Sequence, residues 1–209
     1  MKTFIFDLDG VILSTDEYHF LAWSEITKEE GLVFNREINN KLRGISRIQS
    51  LEIILGFNEK HYDDAEKFRL IEKKNEIYMQ SLAGLNQDSI APEVIQTITK
   101  IKKAGYKIAV GSSSKNATDI LKRCKIYDLF DAVSDGNNIS RSKPDPEVFL
   151  KGAEMMNVLP IETYVVEDEC SGIDAANTGG FVSIGINNAS RYNKADYSIN
   201  RFEDLLSFI

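Results

Sequence analysis

Short apolar segments alternate along most of the chain with longer segments whose apolar residues have helical spacing. Four short segments, at residues 3–6, 107–110, 163–166 and 181–184, have the length and the β-branched or aromatic content of buried strands. Strands that alternate with helices are typical of a parallel sheet with both faces covered. The pattern therefore predicts an α/β fold with a doubly wound parallel sheet.

The segment from residue 10 to residue 92 departs from this alternation, because its apolar residues have helical spacing and no stretch has a strand pattern. We predict a small helical domain, residues 15–82, inserted into an α/β core of residues 1–14 and 83–209. An insertion after the first strand would lie over the crevice where open α/β sheets bind ligands. We expect it to act as a cap.

Composition narrows the possible partners. The chain has 209 residues, of which 43% are hydrophobic, and 25 basic against 32 acidic residues give a net charge of −7. This balance argues against nucleic acid as a partner. Two distant cysteines are too few for a disulfide framework, and no apolar run approaches the length of a membrane span. We expect a cytoplasmic monomer with no membrane partner.

Acidic residues follow two of the predicted strands. Asp7 and Asp9 come after the first strand, and Glu167 and Asp168 end the third. Residues two apart on an extended backbone share a face, so Asp7 and Asp9 can point into one crevice. Carboxylates without nearby histidine or cysteine favour a hard cation such as Mg²⁺. Taken alone, Asp9 with the following glycine is equally compatible with a simple turn, and Asp7 with a cap.

A polar cluster follows the second predicted strand. Ser112, Ser114, Lys115 and Asn116 lead into a predicted helix, where backbone N–H groups and the helix dipole favour an anion such as phosphate. A serine-rich loop with Ser114 or Asn116 as a helix cap is the structural alternative.

Lys143 stands just before another predicted helix. Asp145 is predicted to cap this helix, with Pro146 in its first turn. A lysine at such a position is usually a solvated surface charge. On a rigid loop it can instead hold a phosphoryl oxygen.

The order of these segments resembles the haloacid dehalogenase-like hydrolase superfamily over essentially the whole chain. Further segments are similar to motifs of the β-phosphoglucomutases within it, namely EYHFLAW at 17–23, LRGISRIQS at 42–50, KKN at 73–75 and SKN at 114–116. The chain differs from that pattern at Ser14, where aspartate is usual, and at Arg43, where lysine is usual. These two differences are expected to affect cap closure or the preferred sugar.

The resemblance implies a role for each matching residue. Asp7 would be the nucleophile, Asp9 the general acid and base, and Mg²⁺ would be bound by Asp7, the Asp9 carbonyl and Asp168, with Glu167 beside it. The implied phosphate-binding residues are Ser112 and Lys143 for the transferred group, and Arg47, Ser114, Lys115 and Asn116 for the second phosphate of a small phosphorylated sugar. The implied sugar-site or cap-contact residues are His19, Arg43, Gly44, Ser50 and Lys74.

Three functions remain open at this point. The resemblance implies an isomerase that interconverts β-D-glucose 1-phosphate and glucose 6-phosphate through the bisphosphate, and a sugar-phosphate phosphatase would use the same core residues with water as acceptor. A phosphorylatable signalling domain is disfavoured by the helical insertion and by Asp9. For His19 a packed or capping side chain, and for Arg47 a solvated arginine at a helix start, are the structural alternatives.

Overall fold

The computed structural model describes residues 3–209 and contains one six-stranded parallel sheet. Its strands are β1 (Thr3–Phe6), β2 (Lys107–Gly111), β3 (Ala132–Ser134), β4 (Thr163–Glu167), β5 (Val182–Gly185) and β6 (Tyr197–Ser198), in the spatial order β3-β2-β1-β4-β5-β6. All five pairs are parallel, so the predicted doubly wound parallel sheet is confirmed. The edge strands β3 and β6 were not predicted, because two or three residues are too short to carry a hydrophobic period.

The α-helices of the described residues are α1 (Asp16–Glu29), α2 (Arg36–Asn40), α3 (Arg47–Phe57), α4 (Asp64–Ser81), α5 (Pro92–Lys103), α6 (Ala117–Arg123), α7 (Glu147–Met156) and α8 (Cys170–Thr178). The chain divides into two compact units. The helical unit, Thr15–Gly84, contains α1 to α4, and the core unit, formed by the chain up to Ser14 together with Leu85–Ile209, contains the sheet and the other helices. Within residues 3–209, none of the helices combines the length and the hydropathy needed to cross a bilayer.

The central strand β1 is apolar from Phe4 to Phe6 because both of its faces are buried. Ile5 belongs to a cluster on one face of the sheet that includes Phe149 of α7 and Ala175 of α8. Its neighbours Phe4 and Phe6 stack on each other at 5.8 Å between ring centroids. Successive side chains of a strand point to opposite faces, so a strand covered on both faces needs apolar residues at every position.

The helical unit has its own hydrophobic core, which includes Trp23 of α1, Ile54 of α3 and Leu70 of α4. Ser46 starts α3 with a capping box, in which its hydroxyl accepts from the Gln49 N–H and the Gln49 side chain accepts from the Ser46 N–H. Trp23, only 2% exposed, packs in this core.

Candidate active site

The predicted site residues of the core unit lie close together because three central strands end at the same edge of the sheet. Phe6 of β1 is in register with Val110 of β2 and Val166 of β4. The Asp7 N–H continues the ladder by donating to the Val166 carbonyl at 3.0 Å. The first strand's acids, the polar cluster after β2 and the acids at the end of β4 therefore lie at one edge, the usual ligand-binding edge of an open α/β sheet.

Lys143 lies in the middle of these acids. Its side chain is 2% exposed, and its ammonium donates to Asp7 Oδ1 at 2.5 Å and to Glu167 Oε1. Burial by itself lowers the pKa of Lys143, but the carboxylates of Asp7 and Glu167 outweigh burial, so its pKa is raised and it remains an ammonium at neutral pH. Lys143 is therefore a buried charge and not a solvated surface lysine.

Glu167 uses both carboxylate oxygens within the protein. Oε1 accepts from Lys143, while Oε2 accepts from the backbone N–H groups of Asp168 at 3.0 Å and Glu169 at 3.1 Å. Burial raises the pKa of Glu167, and the Lys143 ammonium opposes that rise. The two backbone bonds fix Glu167, which in turn holds the Lys143 ammonium beside Asp7.

Three buried carboxylates form a group that fits a cation. Asp7, Glu167 and Asp168 each offer an oxygen, and these oxygens lie within 4.8 Å of one another. Burial, followed by the charges of Glu167 and Asp7, raises the pKa of Asp168 to about 9. Three crowded carboxylates share one lysine, so a divalent cation would favour their ionised forms, and a donor set made only of oxygens suits a hard ion such as Mg²⁺. The residues present therefore fit the predicted metal.

Asp9 occupies a tight turn just beyond this group. The turn is closed by the Gly10 N–H, which donates to the Leu13 carbonyl at 2.8 Å, and Asp9 is partly exposed. Gly10 has a φ of +77°, a backbone conformation that glycine tolerates best. A Cβ at Gly10 would also overlap the Asp168 carboxylate. The backbone of this turn therefore lies directly against the Asp168 carboxylate, with no room for a side chain at Gly10.

The polar cluster after β2 folds into one loop, residues 112–116. Ser112 Oγ accepts from the Ser114 N–H at 3.2 Å, and Ser114 Oγ accepts from the Asn116 N–H at 3.2 Å. Asn116 stands at the N-cap position of α6, but its side chain makes no capping hydrogen bond. Ser112 is buried, while Lys115 is exposed.

The start of α7 corrects one prediction. The helix begins at Glu147, so Pro146 occupies the N-cap position that was assigned to Asp145. Asp145 Oδ1 nevertheless accepts from the Glu147 N–H at 3.0 Å. The Asp145 side chain thus satisfies the first free N–H of the helix, and only the helix boundary lies one residue later than predicted.

In the helical unit, His19 and Lys74 form a polar pair next to aromatic rings. Lys74 is 1% exposed, and its Nζ lies 2.6 Å from His19 Nδ1. The His19 ring stacks on Tyr78 with 4.1 Å between centroids. Burial, and then the charges of Lys74 and Arg47, hold the pKa of His19 well below its usual range. His19 is therefore neutral, and its Nδ1 accepts from the lysine.

This pair predicts a pH dependence of stability. The unfolded chain protonates His19 near its ordinary pKa of about 6.5, while the folded protein does not, so the unfolded state binds more protons as the pH falls. As the pH is lowered beneath about 6.5, we expect the native protein to become less stable relative to His19→Gln. The difference in the free energy of unfolding should change by up to about 1.4 kcal/mol per pH unit. Urea unfolding between pH 7.5 and 5.5 measures this difference. His61→Gln, at an exposed position of the same unit, is the control; equal slopes for native protein and His19→Gln would contradict the prediction.

The other predicted residues of the helical unit differ in their surroundings. Arg47 is the first residue of α3; its side chain is 19% exposed, its ion pair with Glu72 is long at 3.8 Å, and burial lowers its pKa. Arg47 is thus a largely buried cation and not a solvated one. Arg43 binds Asp16 through two nitrogens, at 2.8 and 3.3 Å.

Gly44 and Ser50 have backbone or local roles in the structure. Gly44 has a φ of +72° in the loop before α3, a conformation that favours glycine. Ser50 is buried, and its hydroxyl donates to the Ser46 carbonyl one turn earlier at 3.0 Å. That bond ties the hydroxyl to the first turn of α3.

Sequence reasoning missed Gly172, a glycine that makes room for the acidic group. It lies within α8, and a Cβ there would overlap the Glu167 carboxylate. Glu167 is held by Lys143 and by two backbone N–H groups, so it cannot move aside easily. A glycine inside a helix that follows two strand-end acids is the sequence signal that could have identified this position.

Gly172→Ala is expected to lower the free energy of unfolding by about 1–3 kcal/mol, because the added methyl group overpacks the site. The decrease is expected even though alanine is more favourable than glycine inside a helix by about 1 kcal/mol. Denaturant unfolding measures the change. Gly56→Ala, in α3 with no atom within 4 Å of the added Cβ, is the matched control and should be neutral or stabilising. A stabilised Gly172→Ala protein would contradict the proposed crowding.

Comparisons with known proteins agree with this geometry. The model of the haloacid dehalogenase-like hydrolase family matches residues 4–186. The chain belongs to this family. A β-phosphoglucomutase from Bacillus subtilis is 39% identical over 207 residues, which cover 98% of this chain and 92% of that protein. A phosphorylated carbohydrates phosphatase from Thermotoga maritima is 28% identical over 188 residues, covering 88% and 84%.

A solved structure extends the likeness within the haloacid dehalogenase-like family. The crystal structure of a β-phosphoglucomutase from Clostridium difficile has a TM-score of 0.93 and 36% identity, and covers 98% of this chain and 93% of that one. The protein is therefore an enzyme of the haloacid dehalogenase-like family. Its relatives include both a mutase and a phosphatase of phosphorylated sugars.

Proposed function

We propose that the protein is a Mg²⁺-dependent phosphosugar mutase that interconverts β-D-glucose 1-phosphate and glucose 6-phosphate. The observation that carries the proposal is the buried Lys143, whose ammonium binds Asp7 and Glu167 at the ends of β1 and β4, beside a third carboxylate, Asp168. The 39% identity to the Bacillus subtilis β-phosphoglucomutase supports the mutase over other activities of the family.

Asp7 is the proposed nucleophile. Lys143 binds its Oδ1, which orients the carboxylate at the strand end. A carboxylate oxygen of Asp7 attacks one phosphorus of the sugar 1,6-bisphosphate, the bond from that phosphorus to the sugar oxygen breaks, and an aspartyl-phosphate forms as the sugar monophosphate leaves. Lys143 and the Ser112 hydroxyl then contact the phosphoryl oxygens and stabilise their charge.

Asp9 is the proposed general acid and base. It gives a proton to the departing sugar oxygen in the first half of the reaction. In the second half it takes the proton from the sugar hydroxyl that attacks the aspartyl-phosphate. Asp7, Asp168 and the Asp9 carbonyl would hold Mg²⁺, which when bound neutralises phosphoryl charge in the transition state.

The sugar's other phosphate is proposed to bind Arg47, Ser114, Lys115 and Asn116. The burial of Arg47 and its long ion pair to Glu72 support this role, since a largely buried guanidinium with a weak partner gains from a bound anion. The planar guanidinium can also bind two phosphate oxygens at once. His19, Arg43, Gly44, Ser50 and Lys74 remain proposed residues of the sugar site or of the cap contact, and residues 15–82 the proposed cap.

A sugar-phosphate phosphatase is the second candidate, because the Thermotoga maritima relative has that activity. The two functions differ in whether a sugar hydroxyl or water takes the phosphoryl group from Asp7. The test supplies β-D-glucose 1-phosphate, Mg²⁺ and a trace of the 1,6-bisphosphate, then measures glucose 6-phosphate against inorganic phosphate. A mutase yields mainly glucose 6-phosphate, and mainly inorganic phosphate would favour the phosphatase.

A further inference from the structure

The loop that follows β3, residues 135–138, holds the loop of residues 112–116 in place. We infer that Asn137 in this second loop is a positioning residue, which orients Lys115 and Asn116 toward the sugar's non-transferred phosphate. The inference rests on the proposed function, since that function assigns the phosphate to these residues. Nothing in the sequence pattern singled out Asn137.

Asn137 and its neighbour bind two successive carbonyl groups. The Gly136 N–H donates to the Ser114 carbonyl at 3.1 Å, and the Asn137 side-chain amide donates to the Lys115 carbonyl at 2.8 Å. The approach is close, because a Cβ at Gly136 would lie 2.5 Å from the Ser113 carbonyl oxygen. The second loop thus fits against the main chain of the first.

Asn137 is itself held in place by a buried acid. Asp135, 5% exposed, accepts from the Asn137 N–H at 2.9 Å and, through its other oxygen, from the Thr118 hydroxyl at 2.8 Å. Asn138 accepts from the Asp135 N–H at 2.8 Å. Thr118 lies in α6, directly after the first loop, so the second loop is tied both to the first loop and to the helix that follows it.

These bonds have an electrostatic consequence for an anion. A carbonyl oxygen is the negative end of the peptide dipole and repels phosphate. The donors of Gly136 and Asn137 keep the Ser114 and Lys115 carbonyls turned toward the second loop. Because each peptide group is planar, fixing the two carbonyls also fixes the directions in which Lys115 and Asn116 leave the backbone. Asn137 therefore acts on phosphate binding through other residues, without touching the reacting phosphorus.

Asn137→Ala removes one of these bonds and tests the inference. We expect KM for β-D-glucose 1-phosphate to rise about three- to tenfold, the range for one hydrogen bond, with kcat within about twofold. Turnover of acetyl phosphate, a phosphoryl donor without a second phosphate, should be unchanged. Asn177→Ala is the matched control: the Asn177 amide donates to the Lys194 carbonyl, also at 2.8 Å and also exposed.

Two outcomes would overturn the inference: unchanged KM in Asn137→Ala, or equal losses with both substrates, which would indicate a structural role only. Asn137→Asp, which places an oxygen against the Lys115 carbonyl, should raise KM at least as much. Failure of the proposed function would be a separate result, in which the native protein releases inorganic phosphate from β-D-glucose 1-phosphate and forms no glucose 6-phosphate. The KM comparison is then read from phosphate release, so it still supports or overturns the role of Asn137.

Discussion

Asp7→Asn is expected to reduce turnover of β-D-glucose 1-phosphate by at least about 10⁴-fold, because asparagine cannot form the aspartyl-phosphate. Asparagine keeps nearly the same shape as aspartate, and Lys143 retains its bond to Glu167, so the fold should persist. The measurement is the initial rate with Mg²⁺ and the bisphosphate. A circular dichroism spectrum checks that the variant is folded.

A second readout separates loss of the nucleophile from general damage. Native protein incubated with the bisphosphate or acetyl phosphate should gain a hydroxylamine-sensitive phosphate on Asp7, and Asp7→Asn should gain none. Asp174→Asn removes a carboxylate that binds Tyr192 and Lys194, and it serves as the control with normal rates. Native-like turnover by Asp7→Asn would exclude Asp7 as the nucleophile.

Lys143→Met is expected to lower the free energy of unfolding by about 3–5 kcal/mol, the range for breaking a buried ion pair from one side. Methionine fits the space of the lysine stem, but it leaves the carboxylates of Asp7 and Glu167 buried without their ammonium. We also expect loss of turnover, since Asp7 loses the group that orients it. Urea unfolding measures the first effect, and the initial rate measures the second.

The control for this variant is Lys151→Met. Lys151 pairs with Glu154 at 2.7 Å, but the two side chains are 42% and 69% exposed. Exposed ion pairs contribute little to stability because water and salt screen them, so this variant should be close to the native protein in stability. If Lys143→Met were as stable as Lys151→Met, the buried ion-pair cluster would not contribute to the fold.

Much of the site could be predicted because its signals are local. Asp7, Ser112, Glu167 and Asp168 each stand at the end of a strand whose apolar pattern is visible in the sequence. Parallel strands bring their carboxyl ends to one edge, so these residues had to lie close together once the strands were assigned. The position of Asp145 shows the limit of such reasoning, since the α7 boundary moved by one residue.

Other features depend on contacts between distant parts of the chain. Lys143 is 136 residues from Asp7 along the chain, and neither the hydrophobic periodicity nor a local motif indicates that its side chain is buried. The space for Glu167 depends on Gly172, and the shape of the loop of residues 112–116 depends on Asn137 of another loop. Each of these contacts arises from how the elements pack.

The amino-acid sequence alone determined the parallel sheet, the helical character of the inserted segment and the placing of acids at strand ends, because hydrophobic period and strand-end position are properties of neighbouring residues. Only the tertiary structure decided that Lys143 is a buried ammonium shared by two carboxylates. The physical reason is that burial and charge pairing depend on which distant groups the packed chain brings within hydrogen-bonding distance.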